Sequence, residues 1–442
     1  MREKTVKYPF LTRDVKIYEQ DNGHKIVLAY KEGGMVNVSS WVKTGSINEN
    51  DKNNGISHFL EHLMFKGTHK HPAGEFDHIL ESKGAIVNAA TWKDYTFYYV
   101  TLPKGENNEN FNLAIELHAD MMTDPVVPDY EMGAPFDIND KNVTDKRERH
   151  VVIEEIRMRK DQPWTKVYNA TNNAMYTNHP YKRDVIGTPE IISQVSQQEI
   201  MDYYRTFYSP QNVTTIIVGE FDFEEVLEKV KKEFNWGERP IPPKRNIQPD
   251  ISTQETIYIE KEANINSTFM MFGYLGVPAR DLKNLIALEM LAIILGEGTS
   301  SRLYVNLVEN IDENIFNMID AESYSFRDGS NFFVQANFNS QYKERAVELV
   351  KAEIDKLKEN ITERELNKAK KKLKSQFACE VETVSEIGES IGYYMTVCDD
   401  LDLAEQYIPT CEAITVEYLQ EVAKKYLNIN NAVISILKPK SL

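Results

Sequence analysis

The chain has 442 residues, 41% hydrophobic and 27% charged, which excludes a disordered or fibrous polymer and supplies apolar material for two or three cores. Its 51 Lys and Arg against 68 Asp and Glu leave a net charge of -17, with no segregated basic run, so a general nucleic-acid binder is excluded. Such a field could steer basic peptides toward the chain, although excess charge more often only keeps a protein soluble.

The N-terminal stretch Met1 to Asp14 is mixed in charge and lacks the apolar core of a signal peptide, and no later run is apolar for the length of a membrane span. The expectation is a cytoplasmic protein. Lys16 to Thr44 then alternates polar and apolar residues, as strands with one buried face do.

Next comes His58-Phe59-Leu60-Glu61-His62. At 100° per residue, positions 58, 61 and 62 share a helix face, so both imidazoles can reach one metal while the carboxylate addresses its water. This His-x-x-Glu-His order is the inverzincin signature. Ser57 is the expected N-cap of the helix. The bland alternative is an amphipathic helix with two surface histidines. His69, His71 and His78 lack the i, i+4 relation to His62 and are expected at the surface; His24, His118, His150 and His179 form no readable constellation.

Strands are expected at 85–90 and 96–102, and helices at 110–122 and from 147 to about 171. Catalytic zinc takes three protein ligands, so His58 and His62 need a third from elsewhere. Glu148-Arg149-His150-Val151-Val152-Ile153-Glu154-Glu155 is the richest source. Glu148 and Glu155 are seven apart and share a helix face, whereas Glu154 points about 100° away.

The stretch from Val195 to Val218 recurs at an offset of 219 as Ile414 to Leu437, each copy reading as a Ser- or Thr-capped helix, a short turn and an apolar strand. Between the copies, 237–255 carries Gly237, Pro240, Pro242, Pro243 and Pro249, a strong linker signal. The expected organisation is an N-terminal domain at 1–236, a linker at 237–255 and a homologous domain at 256–442. Both halves mix sheet and helix without regular alternation, so the expected class is α+β. Cys379, Cys398 and Cys411 are an odd set without Cys-x-x-Cys spacing, expected as buried small hydrophobes in a reducing compartment.

With these motifs assembled, the sequence resembles the pitrilysin-like zinc metallopeptidases, in the half-length branch that includes mitochondrial processing peptidase. Phe65-Lys66-Gly67-Thr68, Gly84 to Thr91, Asp94 to Tyr99, Pro180-Tyr181, Gly187-Thr188-Pro189-Glu190, Tyr208 to Asn212 and Gly298 to Leu303 carry the resemblance over nearly the whole length. It implies one zinc ion held by His58, His62 and Glu155, with Glu148 as a support behind them and Glu61 as the catalytic base. It also implies that Asn88 and Ala89 lie on an edge strand that binds extended peptide by strand addition. The gap from His62 to Glu155 is longer than the family's, and the polar neighbourhood of 133–145 is where a surface insertion is expected.

Active relatives complete the substrate site with an Arg and a Tyr, seven positions apart, after the Ser-Arg-Leu motif of the C-terminal half. Here Val308 and Ile315 occupy those places, and neither can donate a hydrogen bond to a developing oxyanion. The resemblance therefore implies a peptidase subunit whose homologous partner supplies the Arg/Tyr pair. Two alternatives stand beside it: a self-sufficient homodimeric peptidase, and a non-catalytic assembly subunit of the same fold.

Overall fold

Among the described residues, runs rich in Val, Ile, Phe and Tyr form twelve strands in two sheets. The structure, a computed structural model, describes residues 1–140, 147–248, 250, 252–309 and 314–440. Of the expected linker, Pro249 and Ile251 lie outside the described residues, as do residues 141–145 of the expected insertion.

The first sheet contains β1 (Arg2–Val6), β2 (Val15–Glu19), β3 (Lys25–Tyr30), β4 (Met35–Val42), β5 (Ile86–Thr91), β6 (Thr96–Pro103) and β7 (Val213–Gly219). Their order is β1-β2-β3-β7-β4-β6-β5, antiparallel except for β3 beside β7. All seven residues of β7 are buried, as suits a central strand covered on both faces. The second sheet contains β8 (Ile257–Ala263), β9 (Thr268–Leu275), β10 (Phe316–Ser325), β11 (Ser330–Phe338) and β12 (Val433–Pro439), ordered β10-β11-β9-β12-β8. Only β12 and β8 are parallel. Read from the far edge, β8-β12-β9-β11-β10 repeats β3-β7-β4-β6-β5 strand for strand and direction for direction. The fold is α+β with an internal duplication, as expected.

The offset of 219 holds to the residue. Helix Gln197–Phe207 and the turn Pro210–Asn212 correspond to helix Val416–Tyr426 and the turn Ile429–Asn431. Their N-caps, Ser196 and Thr415, each accept a hydrogen bond from the third helical N–H, the local interaction that starts both copies.

The chain divides into two contact units that are not contiguous in sequence. One contains 1–157, 183–246 and 377–405; the other contains 158–182, 247–376 and 406–442. Each half thus contributes one helix to the opposite unit. The single long helix expected from 147 to 171 is two, Glu148–Asp161 and Pro163–Met175, because Pro163 lacks an N–H and starts a new helix. Helix Pro163–Met175 packs on β9 and β12, where a side chain at Gly273 would strike Met175 and Thr171. Helix Val384–Tyr393 packs on the corresponding β4 and β7, where a Cβ on Gly392 would lie 2.0 Å from Trp41. Glycine at these points permits the close helix-to-sheet approach that places each helix.

The linker expected at 237–255 contains no helix or strand among its described residues, and side chains pin it. Arg239 donates to Thr123 O and Tyr204 Oη, and Arg245 to Asp94 and Asn48, all within the first unit. In the second unit the Asp250 carboxylate accepts from the backbone of Asn178 and His179. Cys398 and Cys411 are buried, but Cys379, at a helix end, is exposed, contrary to the expectation for all three.

Candidate metal centre

Helix Ile56–Met64 carries the histidine motif, and eight of its nine residues are buried, so it is a core element rather than an amphipathic surface helix. Its N-cap is Gly55, not Ser57. Gly55 has φ +97°, and its absent side chain makes room for Ile186 O and Gly187. Capping comes from a residue the sequence reading missed. The buried carboxylate of Glu49 accepts from the N–H groups of Gly55 (2.8 Å) and Ser57 (2.9 Å) and from Asn54 Nδ2 (2.7 Å). Burial raises its pKa against the pull of those bonds. Ser57 is used sideways, its hydroxyl 2.7 Å from Tyr203 Oη.

One turn apart, His58 and His62 direct their Nε2 atoms at the same carboxylate oxygen. Each lies 3.6 Å from Glu155 Oε2, and the candidate ligand atoms of the three residues fall within 4.8 Å of one another. Glu148, two turns before Glu155 on the helix Glu148–Asp161, stands behind His62, with Oε2 3.2 Å from Nδ1 and Oε1 2.6 Å from Lys66 Nζ. A carboxylate on Nδ1 fixes the ring and leaves Nε2 for a ligand role. Lys66 belongs to the Phe65-Lys66-Gly67-Thr68 motif, which now has a physical task.

The electrostatics favour a cation. Burial lowers the affinity of His62 for a proton, yet the hydrogen bonds to Glu148 and Glu155, with the charge of Glu61, raise its pKa to about 9. Burial also raises the Glu148 pKa, but its bonds to His62 and Lys66 outweigh that and leave it lowered. Two imidazoles and a carboxylate, backed by further acids, form the donor set that zinc prefers.

Glu61 is buried beside this cluster. Its Oε2 accepts a 2.5 Å hydrogen bond from Thr91 Oγ1, and burial raises its pKa despite that bond. Thr91 ends β5, which among the described residues pairs with β6 alone and forms the edge of its sheet. Asn88 and Ala89 lie on that edge strand, Asn88 exposed and Ala89 half-buried, and the Asn88 side chain accepts from Ala89 N at 2.9 Å.

The helix bearing Glu148 and Glu155 is anchored by Arg149, whose side chain is fully buried. It donates to Gly133 O (3.0 and 3.1 Å), Ile192 O (2.5 Å) and Val195 O (2.8 Å). The described part of the expected insertion therefore participates in seating this helix. Phe136 N also donates to Ser193 O, and Gln194 Nε2 to Phe136 O.

The remaining histidines stand elsewhere. His69 and His78 are exposed, and half-buried His71 lies 3.2 Å from Glu75. His24 and His118 are fully buried at the two ends of a hydrogen-bonded chain through Thr215 and Ser40. In the second unit, Val308 is half-buried and Ile315 buried.

Residues 25–189 match the family model described as Insulinase (Peptidase family M16), and residues 194–373 the model described as Peptidase M16 inactive domain. The zinc protease PqqE of Helicobacter pylori is 30% identical over 95% of this chain and 91% of its own length. The uncharacterized zinc protease YmxG of Bacillus subtilis is 25% identical over 93% of this chain and 95% of its own. The crystal structure of a protease from Helicobacter pylori superposes with a TM-score of 0.84 at 28% identity, covering 99% of both chains.

Proposed function

We propose that this chain, which belongs to peptidase family M16, is a zinc-dependent endopeptidase acting on short or unfolded peptides. One observation carries the reading: His58, His62 and Glu155 converge beside Glu61, a buried carboxylate on the same helix as the two histidines. His58, His62 and Glu155 would hold one zinc ion, with Glu148 orienting His62. Zinc, when bound, supplies the Lewis acidity that amide hydrolysis needs near neutral pH. Glu61, held at Oε2 by Thr91, would take the proton of the attacking water and deliver it to the leaving nitrogen. Asn88 and Ala89, on the exposed edge of β5, would align an extended peptide through main-chain hydrogen bonds.

Zinc content tests the ligand set. The purified chain is expected to hold one zinc per chain and Glu155→Gln well below that; equal, near-zero metal in both would favour a non-catalytic assembly subunit.

The apolar pair Val308 and Ile315 supports a second part of the reading, a homologous partner subunit that supplies an Arg and a Tyr to the transition state. Turnover of a quenched peptide by the chain alone is expected to be weak and to rise at least about tenfold when a homologous chain from the same source is added. Full turnover by the chain alone would make the enzyme self-sufficient, as a homodimer for example.

A further inference from the structure

The second unit has a groove of about 1270 Å³ bordered by the short helical segment that starts at Arg302 and by the helices Lys343–Lys356 and Glu363–Cys379. Among the described residues five cations line it, Arg302, Lys356, Arg364, Lys368 and Lys371, against two carboxylates, Glu353 and Glu365. Both carboxylates are already committed. Glu365 takes Arg302 in a two-pronged pair at 2.6 and 2.8 Å, and Glu353 takes Lys356 at 2.6 Å. Subtracting these pairs leaves Arg364, Lys368 and Lys371, three positive charges in a protein whose net charge is -17.

Among the described residues none of these three forms an ion pair. Arg364 and Lys371 are exposed, while half-buried Lys368 is fixed by donating to Ser300 O at 2.7 Å. Burial lowers the Lys368 pKa; the Glu365 carboxylate opposes this, and the neighbouring cations Lys372, Arg364 and Arg302 add to the lowering. Like charges held together beyond what Glu365 offsets cost stability and gain it back when an anion binds.

The lining also restricts the anion. Among the described residues no aromatic side chain faces the groove and Val305 is its one apolar residue, so a nucleotide base would find no ring to stack on. The volume far exceeds one oxyanion. Positions 364, 368 and 371 share a helix face and span about 10 Å along the axis, the length of three to four residues of extended chain. The Asn306 and Asn360 side chains are engaged by Glu353 and Arg302, at 2.9 and 2.8 Å, while exposed Asn367 offers a side-chain amide to a peptide main chain.

We infer that this groove binds an extended acidic peptide segment, its carboxylates meeting Arg364, Lys368 and Lys371. The site is distinct from the metal centre in sequence and chemistry, and its test needs no catalysis. Fluorescence anisotropy of a labelled hexaglutamate peptide, with a Gly-Ser peptide of equal length as control, measures it on the full chain. Hexaglutamate is expected to bind at least about tenfold more tightly than the control, and the double variant Arg364→Glu, Lys371→Glu to weaken it by about tenfold or more while keeping the parent's urea midpoint and zinc content. Unchanged binding in that variant, or equal binding of the Gly-Ser peptide, overturns the inference. So does displacement of hexaglutamate by inorganic tripolyphosphate at a tenth of the concentration that unlabelled hexaglutamate requires, because the site would then select small oxyanions.

Discussion

Between β4 and β5 the first unit carries the helix Ile56–Met64; at the corresponding place between β9 and β10 the second carries Leu282–Leu295. Both are buried helices packed with equivalent strands, yet one presents two imidazoles and a carboxylate while the other has eleven buried apolar residues and a single acid, Glu289. Glu289 is bonded to Tyr407 Oη at 2.8 Å, a structural partner. Duplication therefore supplied one architecture twice, and chemistry depends on which side chains each copy places on a shared helix. The copies also differ around that helix: the first has an acid-capped start, a hydroxyl bonded to Glu61 and a buried arginine seating the helix of Glu148 and Glu155.

The most severe way to break this comparison is to exchange each helix's carboxylate for its amide. Glu61→Gln is expected to reduce kcat by about a thousandfold, since a positioned general base is worth roughly 10²–10⁴, with zinc retained. Glu289→Gln is expected to leave kcat within about twofold. Comparable losses in both, measured on a quenched peptide with the partner present, would mean that fold integrity rather than a local base controls the rate.

How far the sequence could anticipate this contrast depended on the range of each interaction. His58, Glu61 and His62 were legible because one helical turn joins them, and the helix–turn–strand duplication because it too is a local unit with a local cap. Glu155 was reachable through the Glu148–Glu155 face together with the family resemblance. Glu49, Thr91 and Arg149 were missed. Their partners are Gly55 and Ser57, Glu61, and the carbonyls of Gly133, Ile192 and Val195, and no periodicity marks such contacts. The exchange of helices between halves was likewise invisible, because it rests on tertiary packing at Gly273 and Gly392. Pro163 was the available signal that a helix ends and another begins.

A second contrast concerns acid. His24 and His118 in the first unit are buried, which lowers both pKa values to about 3, below the unfolded value near 6.5. The unfolded chain thus binds more protons below pH 6.5, and stability is lost as pH falls from there toward 3. Between pH 6.5 and 5 each histidine costs about 2 kcal/mol. In the second unit Asp320 behaves oppositely, since burial raises its pKa to about 6, so the folded state gains protons and stability as pH falls through that value. Hydrogen exchange read by mass spectrometry, corrected for intrinsic rates, should show β3 and β7 losing protection at pH 5 relative to pH 7 before β10 and β11 do. Uniform loss in both units would contradict the contrast.

The smallest expected effect isolates the hydroxyl bonded to Glu61. Thr91 joins the edge strand to Glu61, so its removal should loosen the carboxylate without touching any ligand. A hydrogen bond to a charged group contributes about 1.5–3 kcal/mol, part of which Glu61 would recover from water. Thr91→Val is therefore expected to lower kcat by about tenfold, the equivalent of 1.4 kcal/mol, with KM within about twofold and zinc content unchanged. Thr91→Ser should restore most of the rate, because the hydroxyl is kept and only a methyl is lost. If Thr91 served only to end β5, valine, a better strand former, would preserve kcat, and serine, a poorer one, would be the damaging substitution. The order of the two variants therefore separates positioning of the base from maintenance of the strand.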